Sequence, residues 1–303
     1  MAQITANGIS LEYDEIGDTS APPLLLVMGL GGQMVRWTDG FREAFVDKGF
    51  RVIRFDNRDV GLSQKFDGAE TPSFGDIAKA VAEGQKPAVP YYLDDMAADA
   101  AGLLDALNIP SAHILGVSMG GMIVQLMAAD HGHKVRSMTS IMSTTSRPGL
   151  SPATPEAMAA LTSAPENPDD IESIIRHNMK THHVIGSPGF PYPDDLLYDG
   201  NARAVKRMYY PQGFNRQYAA ILASGPRHER LKAVTCPSLV IHGTDDPLVP
   251  VDGGEDTAAA IAHAELELID GMGHDIPPGL VDRIASRVAD FAHAADKKNV
   301  AAE

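Results

Sequence analysis

Six residues, Gly116-Val117-Ser118-Met119-Gly120-Gly121, constrain this chain more than any other feature. They follow an apolar run at 113–117, which reads as a strand. They open a nearly all-apolar stretch at 119–130, which reads as a buried helix. A strand that turns into a helix within one residue leaves no room for side chains two positions either side of the apex. Both positions are glycine, Gly116 and Gly120. The apex residue, Ser118, then holds its hydroxyl clear of the sheet at a helix N-terminus, where the helix dipole favours negative charge. Composition alone gives about 0.15 chance matches to Gly-x-Ser-x-Gly in a chain with this many glycines. The pattern therefore gains its weight from its setting between strand and helix. The competing reading is a glycine-rich packing turn with an idle serine.

The rest of the chain repeats that alternation. Residues 9–13 alternate apolar and polar, as a half-buried strand does. Residues 24–28, 51–55, 113–117, 135–142 and 238–242 are runs suited to strands covered on both faces, and 264–269 closes the series. Between them, Leu93, Met96, Ala97, Ala100, Leu103, Leu104 and Leu107 mark one face of a helix, and 281–293 reads as a final amphipathic helix. Strands alternating with helices imply a mostly parallel sheet with helices on both faces. The first two of these strands read as an antiparallel hairpin edge. Residues 143–225 break the rhythm. They hold nine of the 21 prolines and seven of the 18 aromatics in little more than a quarter of the length. Lying between two sheet strands, they are an insertion, expected as a helical cap over a pocket at the strand ends. The core domain is then 1–142 with 226–296, the cap 143–225, and 297–303 a flexible tail.

A serine hydroxyl needs a base to take its proton. His274, in Asp270-Gly271-Met272-Gly273-His274-Asp275, directly follows the last strand, and its glycines free the loop to swing an imidazole over the sheet. Ten other histidines compete. His242 ends a strand and should be covered by packing; His263 and His293 fall on helices, and His131, His133, His177, His182 and His183 on surface or inserted segments. The imidazole needs a carboxylate to fix its tautomer. The loop after 238–242 offers two, Asp245 and Asp246, and the alternative role for either is to cap a turn. An oxyanion would need two backbone N–H groups. Met119, the residue after the serine, supplies one, and Leu30, in the Gly29-Leu30-Gly31-Gly32-Gln33 loop after 24–28, is placed for the other. Apolar candidates for a pocket are Met34, Trp37, Met142, Leu248 and Ile276, with Tyr209, Tyr210 and Phe214 from the insertion.

Several function classes recede. Forty acidic against 25 basic residues give a formal charge of −15, which repels phosphate backbones and anionic membrane surfaces. The single cysteine, Cys236, forms no intramolecular disulfide and no cysteine-based metal cluster. The glycine run at 29–32 is no dinucleotide loop, because Met34 stands where Gly-x-Gly-x-x-Gly needs its third glycine. No His-Glu-x-x-His occurs, and His131/His133 and His182/His183 lack carboxylates at ligand spacing, so neither a metal nor another cofactor is expected. The N-terminus shows no basic-then-apolar signal pattern, and no apolar run is long enough to span a bilayer. A cytoplasmic protein is the expectation, with a small molecule as its partner and neither nucleic acid nor membrane.

These motifs together resemble the α/β-hydrolases of the esterase/lipase type. The likeness runs from Ile9 to about Ala292, outside much of the insertion. It rests on Leu24-Leu25-Leu26-Val27-Met28-Gly29, Asp56-Asn57-Arg58-Asp59-Val60-Gly61-Leu62-Ser63, the Ser118 turn, Gly243-x-x-Asp246-x-x-Val249-Pro250 and Gly271-Met272-Gly273-His274. The order serine, acid, histidine is that of the family. Within it the chain is similar to bacterial carboxylesterases related to the methylesterase acting on aclacinomycin polyketides, which share Met-Gly where the family commonly has His-Gly. The resemblance implies an eight-stranded, mostly parallel sheet with an inserted helical cap. It implies a Ser118–Asp246–His274 triad, with the acid at Asp246 and not Asp245, and an oxyanion hole that includes Leu30. It further implies a structural ion pair in the Asp56–Arg58 turn, and ester hydrolysis. Carbon–carbon bond hydrolysis, acyl transfer, perhydrolysis and long-chain lipolysis are the alternatives, as is a receptor that kept the fold without turnover. Serine at 118 argues against the dehalogenase and epoxide hydrolase branches, whose nucleophile is aspartate.

Overall fold

The computed structural model describes the backbone of residues 1–302 and side chains as far as 297. Among these residues the sheet has eight strands: β1 (Ala2–Ala6), β2 (Ile9–Ile16), β3 (Pro23–Val27), β4 (Arg51–Phe55), β5 (Ala112–Val117), β6 (Val135–Ile141), β7 (Ser238–Gly243) and β8 (Glu265–Ile269). Their spatial order is β1-β2-β4-β3-β5-β6-β7-β8. Only β2 runs against its neighbours, pairing antiparallel with β1 and β4; the other pairs are parallel. Strands β3, β5 and β7 are buried at every position, including the polar His113, Ser238 and His242, as strands covered on both faces must be.

The helices are α1 (Asp39–Val46), α2 (Phe74–Ala82), α3 (Leu93–Ala106), α4 (Met119–Asp130), α5 (Pro155–Thr162), α6 (Ile171–Ile185), α7 (Asp194–Arg207), α8 (Pro211–Ser224), α9 (His228–Leu231), α10 (Val251–Ala260) and α11 (Val281–Ala302). One face of the sheet packs on α3 and α4 through Met96, Leu103, Ile123 and Met127. The other packs on α1 and α11 through Phe41, Phe45, Ile284 and Val288. Burial on both faces is what holds a parallel sheet together, since each strand contributes apolar surface in both directions.

Three expectations change. The antiparallel edge hairpin is made by β1 and β2, not by β2 and β3. Asn7 and Gly8 form its two-residue turn with φ of 47° and 76°, the twist that suits right-handed strands. Helix α11 continues to Ala302, past the 281–293 read from sequence, and Glu303 lies outside the described residues. The Asp56–Arg58 ion pair does not form. Arg58 donates to Asp99 at 2.6 Å, and Asp56 meets Arg207 of α7 at 2.7 Å.

The chain between β6 and β7 carries α5 to α9, and its connections to the sheet are polar as well as apolar. Besides Arg207–Asp56, Arg216 of α8 forms a two-bond fork with Asp59, whose other partners are the Tyr91 hydroxyl and the Phe66 N–H. Both aspartates are fully buried, so each ion pair is satisfied by several donors rather than left as a bare charge.

Candidate active site

Ser118 sits at the apex of the β5–α4 turn with φ 55° and ψ −120°, a region that non-glycine residues seldom occupy. Three hydrogen bonds hold it there. Its N–H donates to Ile141 O at 3.0 Å, and its carbonyl accepts from Met122 N–H at 3.2 Å and Ser143 Oγ at 2.8 Å. The flanking glycines are required by close approach. A Cβ on Gly116 would lie 2.1 Å from Gly120 O, and one on Gly120 would lie 2.1 Å from Val27 O.

His274 Nε2 lies 2.9 Å from Ser118 Oγ, and His274 Nδ1 lies 2.7 Å from Asp246 Oδ2. Asp246 Oδ1 accepts the N–H groups of Leu248 and Val249, which leaves Oδ2 for the imidazole. Asp246 and His274 are buried, whereas Ser118 keeps partial exposure. The neighbouring Asp245 is exposed and accepts from the Gly271 N–H and the Thr244 hydroxyl; it organises the turn and does not reach the imidazole. His242 is fully buried, with Nε2 2.8 Å from Val249 O, and burial holds its pKa below the ordinary imidazole value.

The loop after β3 passes directly beside the serine. A Cβ on Gly29 would come within 3.7 Å of Ser118 Oγ. Among the described residues, the N–H groups of Leu30 and Met119 find no acceptor in the protein, while Gly31, Gly32 and Met34 donate to Gln217, Gly29 and Asp56.

The pocket candidates divide. Phe214 covers the β3 loop, its ring within 2.9 Å of where a Cβ on Gly31 would stand. Met142 is buried in the same cluster as Met28, and Ile276 packs against that cluster. Leu248 is half-buried beside Asp246. The other four also have packing or hydrogen-bond partners within the fold. Met34 is wholly buried against Val35 and Ala204. Trp37 stacks on Phe41 at 5.2 Å, and Tyr209 packs on the Ile174 and Ile175 cluster within the insertion. Tyr210 gives its hydroxyl to Asp67 and accepts from Arg216. Large apolar and amphipathic side chains default to packing, and sequence alone does not show which face they turn.

Two features were absent from the sequence reading. Gln217 of α8 reaches the β3 loop, and the end of α6 reaches the His274 loop. There Ile185 O accepts the His274 N–H at 2.7 Å, and Ser187 Oγ accepts the Gly273 N–H at 2.9 Å and donates to Asp275. Asp275 Oδ2 also lies 2.9 Å from His182 Nε2. All these contacts join residues about ninety or more positions apart, so no local motif announces them. Among the described residues, no group of three or more potential ligand side chains could hold a metal ion, and no helix is long and apolar enough to cross a membrane.

A mostly parallel sheet in this order, with serine at the strained turn and histidine and aspartate on the loops after its last two strands, defines a hydrolase of the α/β type. The chain belongs to the alpha/beta hydrolase fold family, whose model matches residues 22–183. It is similar to rhodomycin D methylesterase DnrP of Streptomyces peucetius, 25% identical over 96% of this chain and 98% of the relative. It is also similar to 3-oxoadipate enol-lactonase 2 of Acinetobacter baylyi, 26% identical over 88% of this chain and 87% of that one. Among solved structures, the enol-lactonase of Burkholderia xenovorans superposes with a TM-score of 0.70 over 96% of this chain and 99% of its own, at 21% identity, a likeness of fold.

Proposed function

We propose that the protein is a serine carboxylesterase acting on small to medium carboxylic esters through an acyl-enzyme intermediate. The observation that carries this reading is the continuous hydrogen-bonded chain from Asp246 through His274 to Ser118, next to two amides without acceptors. The methylesterase among its relatives, alike over nearly the whole of both chains, supports ester chemistry.

In this mechanism His274 Nε2 takes the Ser118 proton as Oγ attacks the ester carbonyl. The carbonyl oxygen becomes an oxyanion held by the N–H groups of Leu30 and Met119. As the tetrahedral centre collapses, the C–O bond to the alcohol breaks and the imidazolium gives its proton to the leaving oxygen. Water then attacks the acyl-enzyme by the same route and frees the acid and Ser118. Asp246 fixes the tautomer of His274 with its proton on Nδ1 and stabilises the imidazolium. The helices between β6 and β7 act as a cap that presents Phe214 to the substrate.

The test is hydrolysis of p-nitrophenyl acetate, butyrate, octanoate and palmitate by the wild type and by Ser118→Ala. Turnover of the shorter esters that disappears in the variant is the expected result. A maximum at palmitate makes the protein a lipase. Folded wild type inert toward all four overturns the esterase reading, and a vinylogous 1,5-diketone is then the next substrate, to test carbon–carbon cleavage.

A further inference from the structure

We infer that Gln217 is a positioning residue for the oxyanion hole, acting across the whole fold from an inserted helix. The inference rests on the esterase reading above, in which the Leu30 N–H is one of the two oxyanion donors. Gln217 lies on α8, 186 positions beyond the loop it touches, and is fully buried. Its Oε1 accepts the Gly31 N–H at 2.8 Å, and its Nε2 donates to Arg58 O at 2.7 Å. Each end of the amide has one partner of the right kind, so the side chain has one orientation and the Gly31 N–H one acceptor.

The consequence falls on the next residue back. Gly31 and Leu30 share a peptide unit, so fixing the Gly31 N–H fixes the plane through the Leu30 carbonyl and limits rotation of the Leu30 amide. Within the loop the Gly32 N–H closes a turn onto Gly29 O at 3.1 Å and Phe214 lies against Gly31; the other restraints act on the loop's ends. Asn57 Nδ2 donates to Met28 O at 2.9 Å, the Met34 N–H donates to Asp56 at 2.7 Å, and Gln33 is held by Ala204 O, Met208 O and Arg207. Among the described residues, Gln217 is the side chain that hydrogen-bonds the middle of the loop. The peptide of Arg58 on its other side is anchored in turn, because Arg58 is paired with Asp99 and Asp59 with Arg216. An oxyanion donor must sit near 2.7–3.1 Å from where charge develops, so a loop free to tilt by an ångström forfeits most of its value. An apolar residue at 217 would leave the Gly31 N–H unpaired and free that tilt without touching substrate.

Gln217→Met, which keeps length and apolar packing, and Gln217→Glu, which is isosteric, test the assignment against wild type. The readouts are kcat and KM on p-nitrophenyl butyrate, and Ki for an alkyl trifluoromethyl ketone, which forms an oxyanion on addition of Ser118. For Gln217→Met, kcat should fall about tenfold to a hundredfold with KM nearly unchanged, and Ki should rise by a similar factor. For Gln217→Glu, activity relative to wild type should rise as pH falls. A protonated carboxyl donates to Arg58 O and accepts from Gly31, whereas a carboxylate turns an oxygen against the Arg58 carbonyl. A loss of kcat with unchanged Ki, or a Glu variant whose activity relative to wild type is flat with pH, overturns the role. Wild type inactive on the ester but labelled at Ser118 by a fluorophosphonate would overturn the esterase reading instead. If Gln217→Met does not fold, the Glu series still decides.

Discussion

The backbone at Ser118 should cost the protein stability that glycine would restore. Its φ of 55° and ψ of −120° lie in a region suited to glycine. A residue held in such a region stores about 1–3 kcal/mol. Glycine removes that strain but loosens the unfolded chain, which costs about 0.4–1 kcal/mol. The proper reference is Ser118→Ala, because both variants lose the hydroxyl and its bond to His274. Only glycine relieves the backbone. Ser118→Gly should therefore be more stable than Ser118→Ala by about 1 kcal/mol, the difference of those two effects. In a protein of this size that corresponds to about 2 °C in melting temperature. Urea midpoints of the two variants give the comparison, with activity absent from both and so not a confounder. The ties that impose the conformation, to Ile141 O, Met122 N–H and Ser143 Oγ, involve backbone atoms of residue 118 and survive both substitutions. A Ser118→Ala variant as stable as Ser118→Gly, or more so, would refute the strain argument.

Other outcomes follow from the same geometry. Asp246→Asn should lower kcat on p-nitrophenyl butyrate by about 10³–10⁴-fold through the wrong imidazole tautomer, while Asp245→Asn should leave it nearly unchanged; equal losses would move the acid to the turn. Gly120→Ala, whose Cβ meets the Val27 carbonyl oxygen at 2.1 Å, should destabilise by about 3 kcal/mol, read as a lower urea midpoint and a loss of Ser118 labelling. Ser187→Ala removes the acceptor of the Gly273 N–H and one partner of Asp275, and should cost about 1–2 kcal/mol together with a slower kcat; an unchanged kcat would mean the His274 loop does not need Ser187. Burial holds His113 and His242 below the ordinary imidazole pKa, so the unfolded chain takes up protons there that the folded protein refuses. Stability from these two groups is complete above about pH 6.5 and declines as pH falls from there toward their folded values. Urea midpoints at pH 7.5, 6.5 and 5.5 should drop in that order and less steeply in His242→Gln.

What the sequence disclosed was whatever one stretch of chain decides by itself. Gly116 and Gly120 report a tight strand-to-helix turn, and strands β3, β5 and β7 report burial on both faces by being mostly apolar in both directions. The Asn7-Gly8 turn belonged to the same class. It was a two-residue hairpin signal between alternating segments, and β1 was there to be found beside it. Asp246 differs from Asp245 only in which way a turn directs it. Adjacent carboxylates carry no periodicity to separate them, so family resemblance alone chose between them in the sequence.

The remaining features depend on distant surfaces meeting. Asp56 and Arg58, two residues apart, look like partners in sequence. Once the chain folds, each has a buried guanidinium or carboxylate from another element at hydrogen-bond distance, and these displace the local pair. The Tyr210 hydroxyl likewise meets Asp67, 143 positions away, a partner that no local motif announces. The same logic gives the inserted helices their hold on the chemistry. The elbow positions its own serine, but the β3 loop and the His274 loop are glycine-rich and leave amides that only distant residues accept. Gln217 caps one, and Ile185 O and Ser187 cap the other. A glycine loop flexible enough to bring an amide or an imidazole to the serine is also flexible enough to lose it. The β3 and His274 loops are therefore held in part by the docked insertion, although the residues that would do the chemistry all lie outside it.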